Sequence, residues 1–467
     1  MKSLPFNILS LGSADVVSRL IGFIAFMYLA RALGPGSIGI LAIGMAILTY
    51  ASIISNMGLP LIGVRSIAAK TDSIENLVKR ICSARFFLSI IVFSVGIGIL
   101  VLYVEEQNIR YIAIIFLLSL FPSALMLEWL FQGLGKMKTL AIGRIAGMFT
   151  YLLFIIVKVS NVEDIYFVPC AWCCGLLIHT IYLWINYKKM SFTINTETIT
   201  LPLFELIKQG IPLGIAEFIS QVVIHFPFIY LGYFDTAENT GLYNVAFRVI
   251  VLMLVIDRVF YTIFFPAVSR SFKDSLKNLN DKIDWTLKII TTGSLYIAIL
   301  ALIVGKDLLP FIFGPEFSES NLIFQALLGY FVLTVINSVF TFTLIGIAKE
   351  RAYTISLFFG AIAFAIIILI PLPLSATLSV PIALTIHQAV SMIVMMKYLR
   401  NSISINLFFR ILLPLSIAFP FALFVCLWQH HYSTLVSATV ILLSFPAIAL
   451  ASGINRNDIN SLKVLLK

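Results

Sequence analysis

Long apolar segments recur along the whole chain, and they constrain its fold more than any other feature. Most windows of about 20 residues hold one charge or none, and this is the length that a helix needs to cross the hydrocarbon core of a bilayer. Only 12% of the 467 residues are charged, and the mean hydropathy is +1.03, whereas a soluble domain has about 25% charged residues. Because the segments do not alternate between apolar and polar residues, they predict membrane-spanning helices rather than barrel strands.

The apolar segments divide into fourteen predicted spans, which indicates an all-α polytopic membrane protein. The first span carries Asp15 and Arg19 and has no short apolar core followed by a small-residue cleavage site. We therefore expect it to be a helix of the protein rather than a cleaved signal peptide. The spans lie near residues 8–30, 37–59, 81–104, 111–131, 141–159, 165–187, 210–232, 240–264, 286–305, 321–347, 353–370, 380–398, 411–428 and 434–452.

Basic residues concentrate on alternate loops, and this pattern predicts the orientation. With a cytoplasmic N-terminus, 25 of the 32 lysines and arginines lie in cytoplasmic loops or at the cytoplasmic ends of spans, and four lie at external ends. The remaining three, Arg19, Arg248 and Arg258, lie inside spans. Both termini are therefore predicted to be cytoplasmic. The net charge of +10 fits this bias and an attraction to anionic lipid, and the scattered basic residues give no indication of nucleic-acid binding.

The loops and the cysteines exclude several classes of function. No loop is long enough to fold as a soluble domain, and no Asp-x-Asp nucleotide-sugar motif is present, which argues against polymerases, ligases and glycosyltransferases. Cys170-x-x-Cys173-Cys174 has the spacing of a metal site, but it lies inside the sixth span without a second ligand pair, so that packing is its expected role. His179 is expected to pack or to face water. The sequence predicts neither an enzyme, nor a metal site, nor a bound cofactor.

Two segments about two hundred residues apart resemble each other. Each of them, Tyr28–Leu41 and Tyr230–Tyr243, contains the end of an apolar helix, a short glycine-containing turn and the start of a second apolar helix. Gly39 aligns with Gly241, although few other positions are identical. Membrane transporters are often built from two related bundles with the substrate path between them, so that the similarity favours a transporter with two halves.

Charged residues inside the spans are the candidates for function, because charge in lipid is costly and usually faces a bundle interior or a water-filled cavity. Asp15 and Arg19 lie four residues apart on one helix face, so that they could form either a functional or a purely structural pair. Arg248 shares a face with Asn244 and has no acidic residue three or four positions away on its own helix. Arg258 lies nearer the cytoplasmic end and could instead reach the inner headgroups.

The first and eighth spans belong to different halves, and each brings an arginine towards the membrane interior. Two bundles that face each other would then enclose a cationic cavity between Arg19 and Arg248. Guanidinium groups bind phosphate oxygens in a bidentate geometry. We therefore expect the cargo to be an anion, with the pyrophosphate headgroup of a lipid as the best match.

Several motifs resemble those of Wzx-type polysaccharide repeat-unit flippases. Residues 18–23 (SRLIGF) and 29–39 (LARALGPGSIG) resemble the N-terminal signature of that family. Residues 241–248 (GLYNVAFR) resemble its eighth-helix segment, residues 265–270 (FPAVSR) the loop that follows, and residues 309–317 (LPFIFGPEF) its Leu-Phe-Gly-x-x-Phe loop. The motifs occur in the expected order, whereas the last third of the chain matches only in hydropathy.

The resemblance implies a fold and an activity. The fold is that of the multidrug/oligosaccharidyl-lipid/polysaccharide exporter superfamily, with pseudo-symmetric six-helix bundles at 1–195 and 196–405 and two extra helices with a cytoplasmic tail at 406–467. The activity is translocation of undecaprenyl-pyrophosphate-linked O-antigen or related repeat units across the cytoplasmic (inner) membrane, by alternating access coupled to an H⁺ or Na⁺ gradient. Membrane lipid and the polysaccharide polymerase and chain-length machinery would be the partners.

The resemblance also implies roles for individual residues. Arg19, Arg31 and Arg248 stand where the family places basic residues, and Ala25 stands where related lipid II flippases often have a second arginine, which makes lipid II a less expected cargo. Arg19 and Arg248 would neutralise the diphosphate, with Asn244 beside Arg248 and Arg258 near the cytoplasmic entry. The candidate coupling carboxylates are Asp15, Glu217 and Asp257, and the helix breakers Gly210, Pro212 and Pro227 would let the seventh helix bend.

Two alternatives remain open at this point. A drug or metabolite antiporter of the same superfamily would need a cavity that favours cations, with unpaired acids in place of the two arginines. A non-transporting membrane scaffold for polysaccharide assembly would need neither paired halves nor arginines inside the membrane.

Overall fold

The structure, a computed structural model, is helical wherever it describes secondary structure. The described residues are 4–69, 73–190, 203–255, 276–370 and 375–400, with isolated residues between 257 and 268 and between 414 and 444. The helices within these ranges are α1 (Leu4–Asn56), α2 (Leu59–Ala69), α3 (Ile74–Tyr103), α4 (Gln107–Leu117), α5 (Leu120–Ala124), α6 (Glu128–Gly133), α7 (Met137–Lys158), α8 (Phe167–Lys188), α9 (Leu203–Phe234), α10 (Ala237–Met253), α11 (Leu276–Phe313), α12 (Ser320–Gly346), α13 (Glu350–Leu369) and α14 (Ala376–Leu399). Short 3₁₀ turns at Val162–Tyr166 and Pro315–Phe317 precede α8 and α12.

The prediction of an all-α multi-pass membrane protein is confirmed. Among the described residues, nine helices are long and apolar enough to cross a membrane, and a bent pair makes a tenth. These helices overlap eleven of the first twelve predicted spans, and the described part of the remaining one, 240–264, contains the 17-residue helix α10. The number fourteen stays a prediction, because the last two spans, 411–428 and 434–452, lie mostly outside the described residues.

Helix α1 contains the first two predicted spans. Its 53 residues would extend about 80 Å as one straight helix, far more than the roughly 30 Å of a hydrocarbon core. Gly34 interrupts the helix with non-helical angles (φ 72°, ψ 175°), a conformation that glycine adopts without steric cost. Pro35 follows and starts the second arm, where a missing N–H costs nothing. The helix therefore consists of two arms, 4–33 and 35–56.

The two similar sequence segments meet in the structure. A Cβ atom added to Gly39 would collide with the carbonyl of Ala237, and one added to Gly241 would collide with the carbonyl of Pro35. Each carbonyl belongs to the residue four positions before the opposite glycine, so that the contact is reciprocal. The second arm of α1 and the start of α10 thus cross with their backbones in contact, and the aligned glycines form the crossing point.

The chain divides into two compact units, residues 1–241 and 242–467. In the first unit, α1 packs on α3, α4, α7 and α9, and α7 packs on α8. In the second unit, α12 packs on α11 and α14, and α13 packs on α14. The domain limits expected from the sequence, at residues 195 and 405, stay predictions.

Helix α9, the seventh predicted span, is bent by 57° between its segments Glu205–Ile219 and Gln221–Phe234. The bend lies between Pro212 and Pro227, both inside the helix. Gly210 has another role, because a Cβ atom there would collide with the carbonyl of Met57, in the turn that ends α1. After the bend, the Tyr50 hydroxyl donates a hydrogen bond to the Val222 carbonyl at 3.1 Å, which ties this part of α9 to α1.

Candidate intramembrane sites

The predicted site residues of the first unit lie on α1 and α9. The side chains of Arg19, Arg31 and Glu217 are exposed. Since exposed charge on a spanning helix is costly in lipid, a water-filled surface is favoured for these groups. The Asp15 side chain lies outside the described residues, so that its pairing with Arg19 stays a prediction.

The predicted site residues of the second unit lie on and just after α10. Arg248 is exposed and Asn244 is half-buried, four residues before it. Asp257 is half-buried, and its carboxylate accepts a hydrogen bond from the Ser338 hydroxyl on α12. Arg258 lies outside the described residues. A specific polar contact therefore connects the predicted residue Asp257 to α12.

Uncharged polar side chains continue from Ser338 across the α12–α14 contact. The Asn337 amide donates to the Gln388 carbonyl oxygen at 2.9 Å and to the Gln388 Oε1 at 2.7 Å. The Gln388 Nε2 in turn donates to the Thr334 Oγ1 at 2.9 Å. The sequence analysis missed this network, although three polar residues at helical spacing within an apolar span, 334, 337 and 338, were a usable signal.

The fourth predicted span of the first unit is broken into α4, α5 and α6, and Arg85 on α3 compensates for the break. Helix ends leave carbonyl groups without partners. The Arg85 guanidinium, which is 4% exposed, donates to the Ser123 carbonyl at 2.5 Å and to the Met126 carbonyl at 3.0 Å. Its Nε donates to the Asn56 Oδ1 at 2.9 Å. A buried cation thus joins α1, α3 and the broken span.

Next to this break, Glu128, Arg144 and His179 form a charged cluster. The Arg144 Nε donates to the Glu128 Oε1 at 2.7 Å and its Nη2 to Oε2 at 2.9 Å, which is the bidentate geometry of a strong ion pair. The His179 Nε2 lies 3.7 Å from the same Oε1 and, although buried, has no hydrogen-bond partner. The Glu128 and Arg144 side chains are 30% and 35% exposed, and His179 is 7% exposed.

Local sequence explains how the cluster is assembled. Glu128 is the first residue of α6, where the helix dipole stabilises a carboxylate. A Cβ atom on Gly143 would lie 2.7 Å from the His179 ring, and one on Gly147 would lie 2.8 Å from the Gly175 carbonyl. These glycines let α7 and α8 approach closely enough to bring His179 beside Glu128. The expectation for His179, packing or water contact, did not include this carboxylate.

Metal ligation is not indicated by the geometry of the described residues. Within them, no group of three or more His, Cys, Asp or Glu side chains is arranged to hold a metal ion. Cys82, Cys170, Cys173 and Cys174 are free thiols.

Comparison with known proteins places the chain among polysaccharide-related membrane proteins. Residues 6–272 match the family model described as "Polysaccharide biosynthesis protein". The "Putative O-antigen transporter" of Shigella dysenteriae is 31% identical over 160 residues, which cover 33% of this chain and 40% of the relative. The chain thus aligns with less than half the length of this relative.

Solved structures show the same fold at low sequence identity. The lipid II flippase MurJ, in an inward closed conformation, aligns with a TM-score of 0.76 at 12% identity and covers 95% of this chain and 97% of MurJ. An inward-facing multidrug resistance MATE family transporter of the MOP superfamily aligns with a TM-score of 0.64 at 15% identity and covers 85% of this chain and 98% of the transporter.

Proposed function

Because the chain belongs to the polysaccharide biosynthesis protein family, we propose that it is a flippase that moves a lipid-linked oligosaccharide across the cytoplasmic membrane. The observation that carries this proposal is its fold, which follows a lipid II flippase over 95% of the chain. The cargo in the proposal is an undecaprenyl-pyrophosphate-linked repeat unit of O-antigen or a related polysaccharide, which moves by alternating access. The distribution of lysine and arginine supports cytoplasmic positions for both termini.

Arginines supply the binding chemistry in this proposal. Arg19, Arg31 and Arg248 neutralise the diphosphate, Asn244 adds a hydrogen bond, and Arg258 receives the headgroup near the cytoplasmic face. The exposed positions of Arg19, Arg31 and Arg248 on apolar helices support this role, since charge on such helices is rarely placed against lipid. An ion gradient drives the cycle through carboxylates that change protonation or ion occupancy, with Asp15, Glu217 and Asp257 as the candidates.

The test is complementation of a strain that lacks the gene. Arg248→Ala is expected to abolish surface polysaccharide at matched protein level and to cause accumulation of the lipid-linked repeat unit. Lys158→Ala, which removes an exposed cation at the end of α7, is the matched control and is expected to complement fully. Normal surface polysaccharide with Arg248→Ala would remove this residue from the mechanism, and normal polysaccharide in the deletion strain itself would contradict the proposed function.

A second candidate function is export of a cationic drug or metabolite, which the likeness to a multidrug transporter favours. Charge reversal separates the two. Arg19→Glu is expected to abolish flipping of an anionic headgroup, whereas it would preserve or increase export of a cation. A non-transporting scaffold would be indifferent to the substitution, and polysaccharide display would then stay unchanged.

A further inference from the structure

We propose that Glu128, Arg144 and His179 form a proton-binding site inside the first unit, in which a proton on the His179 Nε2 competes with the Arg144 Nε for the Glu128 Oε1. The inference rests on the proposed function for its biological role, because the site would supply the proton step of ion-coupled flipping. The site itself stands on the geometry of three helices, α6, α7 and α8.

The distance between His179 and Glu128 is the first argument. A neutral imidazole has one nitrogen that donates and one that accepts. If Nε2 is the acceptor, its lone pair faces a carboxylate oxygen, and if it is the donor, 3.7 Å is too long for a hydrogen bond. Neither neutral form satisfies this buried nitrogen. A protonated imidazole donates from Nε2 and can shorten the Nε2–Oε1 distance to about 2.8 Å. One added proton would therefore give the buried nitrogen a hydrogen-bond partner.

Charge balance is the second argument. Among the residues that the structure describes, the charged and titratable groups that act on the carboxylate are His179 from α8, Arg144 from α7 and Arg85 from α3, and those that act on His179 are Glu128 and Arg144. Arg144 and Glu128 neutralise each other, whereas the three carbonyl and amide oxygens around Arg85 are uncharged. Proton binding therefore raises the net charge of the Glu128, Arg144 and His179 cluster from zero to plus one.

Access to protons is the third argument. The Glu128 and Arg144 side chains are each about one third exposed, while His179 is buried behind them. An ion pair that is exposed on spanning helices is costly against lipid and is therefore expected to face water. The carboxylate thus lies between water and the imidazole, and it can pass a proton inwards.

The chemical step is a simple proton transfer. A hydronium ion on the water side gives a proton to a Glu128 carboxylate oxygen and leaves water; the new carboxyl O–H then breaks as the proton adds to the lone pair of the His179 Nε2, which restores the carboxylate. The new N–H donates to the Glu128 Oε1, which at present accepts from the Arg144 Nε. Arg144 keeps its bond to Oε2, and its Nε–H, which is then held less firmly by Oε1, can turn towards water or an anionic headgroup.

Proton binding can be measured without any transport assay. The purified full chain in phospholipid nanodiscs is subjected to hydrogen–deuterium exchange at the imidazole C2 position across a pH series, and mass spectrometry reads each of the five histidines separately. Glu128→Gln is expected to weaken proton binding at His179 about tenfold, because an opposite charge within this distance is removed. Arg144→Gln is expected to strengthen it by a similar factor of about ten, because a positive charge beside the imidazole is removed and the carboxylate loses its bidentate partner.

Opposite shifts in these two variants support a proton site whose affinity is set by both neighbouring charges. His387 in the same samples is the internal reference for folding, and Glu128→Asp and Arg144→Lys are milder variants if either amide variant unfolds. Unchanged proton binding at His179 in the variants, or no protonation of His179 between about pH 4 and 9, would overturn the inference.

A flipping assay in proteoliposomes then tests the coupling role. With a fluorescent undecaprenyl-pyrophosphate oligosaccharide, the wild-type rate is expected to change up to about tenfold for a gradient of one pH unit, and His179→Gln is expected to remove most of this dependence. A wild-type protein that flips no such lipid, but whose His179 shows the opposite shifts, would contradict the proposed function and leave the proton site standing. Undiminished gradient dependence in His179→Gln would overturn the coupling role.

Discussion

Among the described residues, buried or half-buried arginines and a carboxylate join helices of the first unit, whereas amides and hydroxyls join α12 to α14 in the second unit. Arg85 and the Glu128–Arg144 pair hold the broken span of the first unit in place. Asn337 and Gln388 hold α12 against α14 in the second unit, with Asp257 at one edge of that network. A charged arrangement changes with protonation and is costly to disrupt, while an amide network is insensitive to pH over the physiological range.

The two buried histidines make the comparison sharper. His179 on α8 lies against Gly143 and Gly147 of α7, and His387 on α14 lies against Gly360 of α13. Both are thus packed on glycines of the preceding helix. A carboxylate lies 3.7 Å from His179, whereas among the described residues no carboxylate lies within ion-pair distance of His387. Histidine packed on glycine therefore lies beside a carboxylate in the first unit and, among the described residues, without one in the second unit.

The largest loss of stability is expected when Arg85, the buried cation of the first unit, is replaced. Arg85→Leu removes the donor to the Asn56 Oδ1 and the Met126 carbonyl and one of the donors to the Ser123 carbonyl, which keeps the Met126 N–H, and we expect a loss of about 3–5 kcal/mol of stability. The measurement is the fraction of protein that stays monodisperse after heating in detergent. Arg85→Lys is the companion variant, because it keeps the charge but not the three-way geometry. Wild-type stability in Arg85→Leu would contradict the view that buried charge holds the first unit together.

Glycine contacts are the feature that the units share, so similar effects are expected in both. Gly175→Ala places a methyl group 2.7 Å from the Gly147 carbonyl, and Gly360→Ala places one 2.8 Å from the His387 carbonyl. Each is expected to cost about 1–3 kcal/mol by overpacking, measured by thermal unfolding in detergent.

The matched controls for these variants are Gly98→Ala in the first unit and Gly293→Ala in the second. A Cβ atom at either position meets nothing within 4 Å, so that stability should stay the same or rise by up to about 1 kcal/mol from helix propensity. A clear loss in one contact variant and none in the other would show that the two packings are not equivalent.

Loss of the side-chain amide hydrogen bonds in the second unit is expected to lower stability less than loss of Arg85 does in the first unit. Asn337→Leu removes two hydrogen bonds to Gln388 at similar volume, and we expect a loss of about 1–2 kcal/mol, measured by the same thermal assay. The loss should be equal at pH 5.5 and pH 8. A pH-dependent loss would show that the Asp257 carboxylate at the edge of this network is coupled to the Asn337–Gln388 contact.

The smallest effect is expected at His387. His387→Gln should change stability by less than about 1 kcal/mol and should leave the pH-gradient dependence of flipping at the wild-type level. The same substitution at His179 is expected to remove that dependence. Equal responses of the two variants in the proteoliposome assay would contradict the assignment of the proton site to one unit.

The sequence predicted the helical, multi-pass architecture correctly, because each span is encoded by its own local hydropathy. The family resemblance, drawn from residues 18–317, is also confirmed by the family match over residues 6–272. The Glu128 cluster was missed because its members come from three helices whose contact no local pattern specifies. For the same reason the sequence identified Asp257 but not its partner Ser338. The joint role of Arg19 and Arg248 stays a prediction.

The alignment of Gly39 with Gly241 was found from the sequence, but their mutual contact became evident only in three dimensions. Both backbones touch there without an intervening side chain. In most packed interfaces, a substitution by a larger residue can be compensated by a second mutation that makes the opposing side chain smaller. Here the opposing residue is already the smallest that exists, so that genetic screens should recover no suppressor of a substitution at one glycine by a change at the other.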